Sequence, residues 1–84
     1  MTKILKDKYF VYALKSIHRN YIYVGLTNNV EQRFNQHNNG YEKTTRPYSP
    51  FSILYTEEFS TRKAAREKEK YLKSGIGKEW LKQL

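Results

Sequence analysis

Tyr9-Phe10-Val11-Tyr12-Ala13-Leu14, followed after a polar break by Tyr21-Ile22-Tyr23-Val24-Gly25-Leu26, decides how this chain folds. The first segment is apolar and aromatic without alternation, the pattern of a strand covered on both faces. His18-Arg19-Asn20 interrupts it, and the second segment is again rich in β-branched and aromatic residues. Strands this close in sequence pair as an antiparallel hairpin.

Outward from the hairpin the period changes. Thr27-Asn28-Asn29 opens a helix, with Asn28 as N-cap and Glu31 three residues on in the capping-box position. That helix runs to Asn38 or Asn39 and stops at Gly40. Residues 41–50 hold two Pro, with Thr and Ser, and read as a loop. Phe51-Ser52-Ile53-Leu54-Tyr55-Thr56 is a third strand. Ser60 caps a second helix over Thr61–Ser74 with Gly75 as its C′ residue, and Gly77–Leu84 forms a last short helix anchored by Trp80, Leu81 and Leu84. The predicted order is β-β-α-β-α-α, an α/β (α+β) domain with a three-stranded antiparallel sheet flanked by helices.

With 84 residues this is one small domain over 9–84 behind a flexible basic lead-in over 1–8. A chain of this size buries roughly 60% of its unfolded surface, so its stability is modest. Eight Tyr, four Phe and one Trp make much of the core rings with a polar tip. Sixteen Lys and Arg against eight Asp and Glu leave +8, which points to a polyanionic partner, nucleic acid first. Without Cys there is no disulfide framework or thiolate zinc site, and two His make no His-rich site. The longest apolar run, Tyr9–Leu14, is far short of the roughly 18 residues of a spanning helix. The N-terminus has no apolar signal core, so a soluble cytoplasmic protein without a membrane partner is expected.

Polar residues stand on stripes that should be apolar. In the first helix Val30 and Phe34 mark the inward stripe, and Arg33 and His37 fall within about 60° of Val30. In the second, Ala65 and Leu72 mark it and Ile76 continues it; Glu69 lies about 40° from Ala65, Glu67 about 200° away in solvent. Arg, His and Glu at the margin of a small core cost free energy unless they meet partners. One arrangement that supplies partners is a structural Arg–Glu pair with a His beside it. The other is a site where Arg grips a phosphate, Glu holds a divalent cation, and Tyr or His handles protons. Tyr12, Tyr21 and Tyr23, whose hydroxyls all need hydrogen-bond partners, favour the second. Ser74-Gly75-Ile76-Gly77-Lys78-Glu79 lacks the spacing of a phosphate loop and reads as a helix stop and a turn. His18 reads as a solvated turn residue, and Lys63, Arg66, Lys68, Lys70 and Lys73 as a mostly solvated helix face.

Phe10-Val11-Tyr12 and Tyr23-Val24-Gly25, with the tyrosines eleven residues apart, resemble the two signature elements of the GIY-YIG nuclease superfamily. The resemblance continues through Gly25-Leu26-Thr27-Asn28-Asn29, Arg33, His37-Asn38-Asn39-Gly40, Thr44-Thr45 and Leu54-Tyr55-Thr56-Glu57-Glu58-Phe59. It ends in Glu69-Lys70-Tyr71-Leu72-Lys73-Ser74-Gly75 and Gly77-Lys78-Glu79-Trp80-Leu81, and so covers the chain from residue 9 in order. The chain is most similar to small stand-alone members that consist of the nuclease domain alone. It departs in two places: the first element lacks the Gly and Ile of the family name, and no Asn follows Asn39, although many members carry one near the metal.

The resemblance implies a divalent-metal-dependent endonuclease acting on DNA phosphodiester bonds, with structure-selective cutting in repair or recombination as one setting and RNA left open. It implies that Tyr12 and Tyr23 are the family tyrosines, one of which takes the proton of the attacking water. Arg33 then contacts the scissile phosphate, His37 accepts a proton from a tyrosine, and Glu69 binds the metal. A single carboxylate suits Mg²⁺ or Mn²⁺, cations that keep much of their water. A Tyr with a pKa of about 10 is a poor base at pH 7 unless its surroundings lower that value. The alternative is a non-catalytic nucleic-acid-binding module using the same basic cleft.

Overall fold

The computed structural model describes residues 8–84. The basic lead-in expected over 1–8 lies outside the described residues except for Lys8, whose Nζ is 3.7 Å from Glu58 Oε2. The elements are β1 (Tyr9–Ser16), β2 (Ile22–Thr27), α1 (Val30–Asn38), a 3₁₀ turn at Arg46–Tyr48, β3 (Phe51–Phe59), α2 (Arg62–Lys73) and α3 (Gly75–Lys82). The order β-β-α-β-α-α and the α+β class are those read from the sequence.

All three strands form one antiparallel sheet in the order β2-β1-β3. Strand β1 lies in the middle, which explains its unbroken apolar run: Val11, Tyr12, Ala13 and Leu14 are all buried. Alternation then sorts its residues between two layers. Val11 and Ala13, with Ile22 and Val24 of β2, pack against Ala65 and Leu72 of α2 and Leu81 of α3. Tyr12 and Leu14, with Tyr23 of β2 and Phe51 of β3, pack against Val30 and Phe34 of α1. The loop before β3 folds back over the second layer, where Tyr48 stacks on Tyr21 with centroids 3.8 Å apart.

Several boundaries differ from the sequence reading. Asn29, not Asn28, caps α1, its Oδ1 accepting from Gln32 N–H at 3.0 Å. Thr27 Oγ1 takes the Asn29 N–H at 3.1 Å, and this turn carries Asn29 into the cap. Thr61 replaces Ser60 as the cap of α2, accepting from Ala64 N–H at 3.2 Å. Strand β3 runs three residues further, to Phe59, along the whole length of β1. The last helix starts at Gly75 because Ser74 both closes α2 and caps α3, its Oγ accepting from Gly77 N–H at 3.2 Å. That break resets the helical phase: Gly77 and Leu81 face inward, while Ile76 is 74% exposed, and Trp80 and Leu84 are exposed rather than anchoring. Gly40 does end α1. It adopts φ +76°, its N–H reaches the His37 carbonyl and Tyr41 N–H reaches that of Gln36, a Schellman closure. Among the described residues no helix is long and apolar enough to cross a membrane.

Candidate active site

The α1 face of the sheet brings together four of the five residues singled out in the sequence. Tyr12 projects from the middle of β1 over Gly25 of β2, its register partner. A Cβ at position 25 would fall 2.6 Å from Tyr12 Oη, so the glycine of Tyr23-Val24-Gly25 is the floor on which the Tyr12 ring lies. Tyr23 stands beside it with ring centroids 6.1 Å apart. Helix α1 lowers His37 onto both rings, 4.7 Å from Tyr23 and 6.0 Å from Tyr12 between centroids.

Tyr12, His37 and Thr45 form a hydrogen-bonded line through the interior. Tyr12 Oη and His37 Nε2 are 3.1 Å apart, and His37 Nδ1 and Thr45 Oγ1 are 2.9 Å apart. Thr45 Oγ1 donates to the Glu42 carbonyl at 3.5 Å. A hydroxyl has one proton, so the hydrogen of the second contact belongs to Nδ1. Nε2 is then the unprotonated nitrogen and accepts from the Tyr12 hydroxyl. None of the three side chains is more than 1% exposed. Burial lowers the His37 pKa from 6.5, the Arg33 charge adds to the drop, and Glu42 opposes it. Burial, helped by Tyr23, pushes the Tyr12 hydroxyl up to about 12, against the pull of the Arg33 guanidinium beside it.

Arg33 is half-buried at the mouth of this line. Its Nη1 donates to Gln36 Oε1 at 2.8 Å and to Glu42 Oε2 at 3.3 Å. Glu42 is the more exposed of that ion pair, so the guanidinium is aimed by a contact an incoming anion can replace.

Glu69 stands apart from the other four. It is buried with Ala65 and Leu72 on the inward stripe of α2, while Glu67 is exposed, as the helical phase required. Helix α2 covers the sheet face opposite α1, and among the described residues no hydrogen bond or ion pair joins Glu69 to Tyr12, Tyr23, Arg33 or His37. The Arg33–Glu69 pair considered from the sequence is therefore not formed: Arg33 meets Glu42, and Glu69 meets Arg66 at 3.7 Å and Lys73 at 3.1 Å. Glu69 Oε1 is buried without a hydrogen-bond partner. With Oε2 held by Lys73 and Oε1 facing only the Arg66 guanidinium at 3.7 Å, the carboxylate fits a cation that takes one protein ligand and keeps its waters. Among the described residues no cluster of three or more His, Cys, Asp or Glu could enclose a metal.

Sequence reasoning gave no role to Thr45 or Glu42. Thr44-Thr45 entered only as part of the resemblance, and no periodicity links a loop threonine to a histidine eight residues earlier. The signal for Gly25 was present in Tyr-x-Gly, but the ring above it belongs to another strand.

Residues 8–81 match the model of the GIY-YIG catalytic domain. The chain belongs to the GIY-YIG family. It is similar to a UPF0213 protein of Clostridium perfringens, 40% identical over 65 residues, which is 76% of this chain and 69% of that protein. A UPF0213 protein of Oceanobacillus iheyensis is 33% identical over 70 residues, 82% of this chain and 80% of the relative. Among solved structures, the solution NMR structure of a UPF0213 protein from Bacillus halodurans superposes with a TM-score of 0.55 at 30% identity, covering 90% of this chain and 83% of that one. The GIY-YIG domain is a nuclease domain, and its match spans both layers of the sheet.

Proposed function

We propose that this chain is a divalent-metal-dependent endonuclease that hydrolyses DNA phosphodiester bonds, with Tyr12, Tyr23, Arg33 and His37 in the reaction and Glu69 holding Mg²⁺ or Mn²⁺. The observation that carries this reading is the buried Tyr12–His37–Thr45 line ending beside a half-exposed Arg33. A neutral histidine whose Nε2 faces a tyrosine hydroxyl is placed to accept a proton, the task of a general base.

The residues divide the work by depth. Arg33 exchanges Glu42 for the scissile phosphate and stabilises the charge that develops on it. Tyr23, half-buried, meets the attacking water. As the water's proton moves to Tyr23, that of Tyr23 passes to Tyr12 and that of Tyr12 to His37 Nε2. Thr45 keeps Nε2 open by binding Nδ1–H. Phosphate on Arg33 takes over from Glu42 the task of compensating a charge that lowers the His37 pKa. Glu69, across the sheet from the other four, would hold the divalent ion, whose chemistry is Lewis-acid stabilisation of phosphate. The basic surface carries no base code, so we extend the reading to structure-selective cutting of branched or damaged DNA in repair or recombination.

Nicking of supercoiled and branched DNA in Mg²⁺ and in EDTA tests this reading. Cleavage is expected in Mg²⁺ only, lost in Glu69→Gln and kept in Glu67→Gln, both with intact fold; Glu67 changes stability by no more than about 0.5 kcal/mol. Salt-sensitive binding without cleavage in any condition would leave a binding module in place of an enzyme. A dead Glu67 variant beside an active Glu69 variant would overturn the metal assignment.

A further inference from the structure

Lys78 is half-buried at the edge of the sheet, where its Nζ donates to the Ile22 carbonyl at 2.9 Å. Ile22 opens β2 and immediately precedes Tyr23. Lys78 faces a groove of about 280 Å³ lined by Asn20, Tyr21, Ile22, Lys78 and Lys82, with no acidic side chain in its wall. Lys73 is paired with Glu69 and Lys82 with Glu79. Among the described residues Lys78 has no carboxylate partner within the 4 Å reach of an ion pair.

A partly desolvated ammonium with cations on both sides and one neutral carbonyl for company is an expense to the fold. Burial first, then the charges of Lys73 and Lys82, lower its pKa, in keeping with that geometry. An anion in the groove would offset both effects. The groove lies where β2 begins: Ile22 belongs to the layer under α2 and α3, and its neighbour Tyr23 to the layer under α1.

We propose that the groove between the β2 edge and α3 binds a backbone phosphate of the nucleic-acid strand, with Lys78 as its cation. The proposal rests on the nucleic-acid reading above and adds a docking point away from the scissile bond. Such a contact orients the strand and carries no sequence information.

The test is DNA affinity measured against KCl concentration in EDTA, where no cleavage interferes. Lys78→Gln is expected to lower the slope of log affinity against log salt by about one and to weaken binding equally for unrelated sequences. Lys78→Arg should retain both. Asn20→Asp, at an exposed turn position, should weaken binding by adding negative charge to the groove while leaving the Lys78–Ile22 contact in place, so the proposal stays testable if Lys78→Gln fails to fold. Unchanged affinity and slope in Asn20→Asp and in folded Lys78→Gln would overturn it. Inorganic phosphate binding to wild type but not to Lys78→Gln, with DNA affinity and slope the same in both, would identify a free-phosphate site and overturn it. The slope change in a wild-type protein that never cleaves DNA would support the groove while removing the nuclease reading; cleavage with an unchanged slope would remove the groove alone.

Discussion

On the α2 face of the sheet, Val11, Ala13 and Val24 meet Ala65, Leu72 and Leu81, with Glu69 the charged group buried at the margin. On the α1 face, alternate residues of the same strands meet a different company. Tyr12, Gly25 and Tyr23 lie under His37 and Arg33, and the buried Ser16, Thr27 and Thr45 belong to that side too. Strand β1 feeds both faces, and the period of two keeps their chemistries separate. One face stabilises the fold by burying apolar surface; the other gives up part of that gain to hold polar groups in fixed orientation. The α1 face carries the tyrosines, His37 and Arg33, and the α2 face carries the apolar core with Glu69 at its margin.

The largest effect expected from this division lies on the apolar face. Leu72→Ala should destabilise by about 2–5 kcal/mol, because the sheet cannot collapse onto the void, while leaving activity per folded molecule nearly unchanged. Denaturant unfolding with parallel nicking assays checks both halves. Comparable loss of activity per folded molecule would mean that Leu72 packing also positions Glu69 or the α1 face.

Thr45→Val should have a smaller effect on stability and a larger one on chemistry. It leaves His37 Nδ1–H buried without an acceptor, which costs about 1–3 kcal/mol, and releases the tautomer that keeps Nε2 open to Tyr12. Cleavage should fall, and Thr45→Ser should restore it. Nitrogen-15 shifts of the His37 ring should report Nδ1–H in wild type; an Nε2–H tautomer there would contradict the hydrogen-bond assignment.

The mildest effect is the acid response of the polar face. Burial lowers the His37 pKa below its unfolded value of 6.5, so between those two values the unfolded chain binds more protons. His37 therefore contributes its full share of stability above pH 6.5, and that share is lost as pH falls through the folded pKa. Thermal unfolding from pH 8 downward should show a decline beginning below about 6.5 that is absent in His37→Gln.

Much of the fold was legible because β1 and β2 state their burial openly and the helices keep their phase between caps. Arg33, His37, Glu67 and Glu69 fell on the sides of their helices that the wheel assigned. What was not legible depends on neighbours rather than period. Asn28 and Asn29 are equally good caps until the Thr27 turn chooses between them. Ile76 continues the α2 stripe only if the helix goes on, and Ser74 stops it. The partner of Arg33 came from the 41–50 loop, not from α2, because Glu42 is brought back by the Gly40 turn. Thr45, which sets the tautomer of the central histidine, carries no periodic signal.

The central claim is that the α1 face performs the chemistry through Arg33. The most direct measurement compares Arg33→Ala with wild type in the single-turnover cleavage rate at saturating DNA and, separately, in DNA affinity without metal. Removal of a group that stabilises developing charge predicts a rate lower by about 10²–10³-fold, with affinity reduced only a few-fold because one phosphate contact of many is lost. Affinity lost with the rate at saturation unchanged would contradict the account and make Arg33 a docking residue on a face where no chemistry occurs.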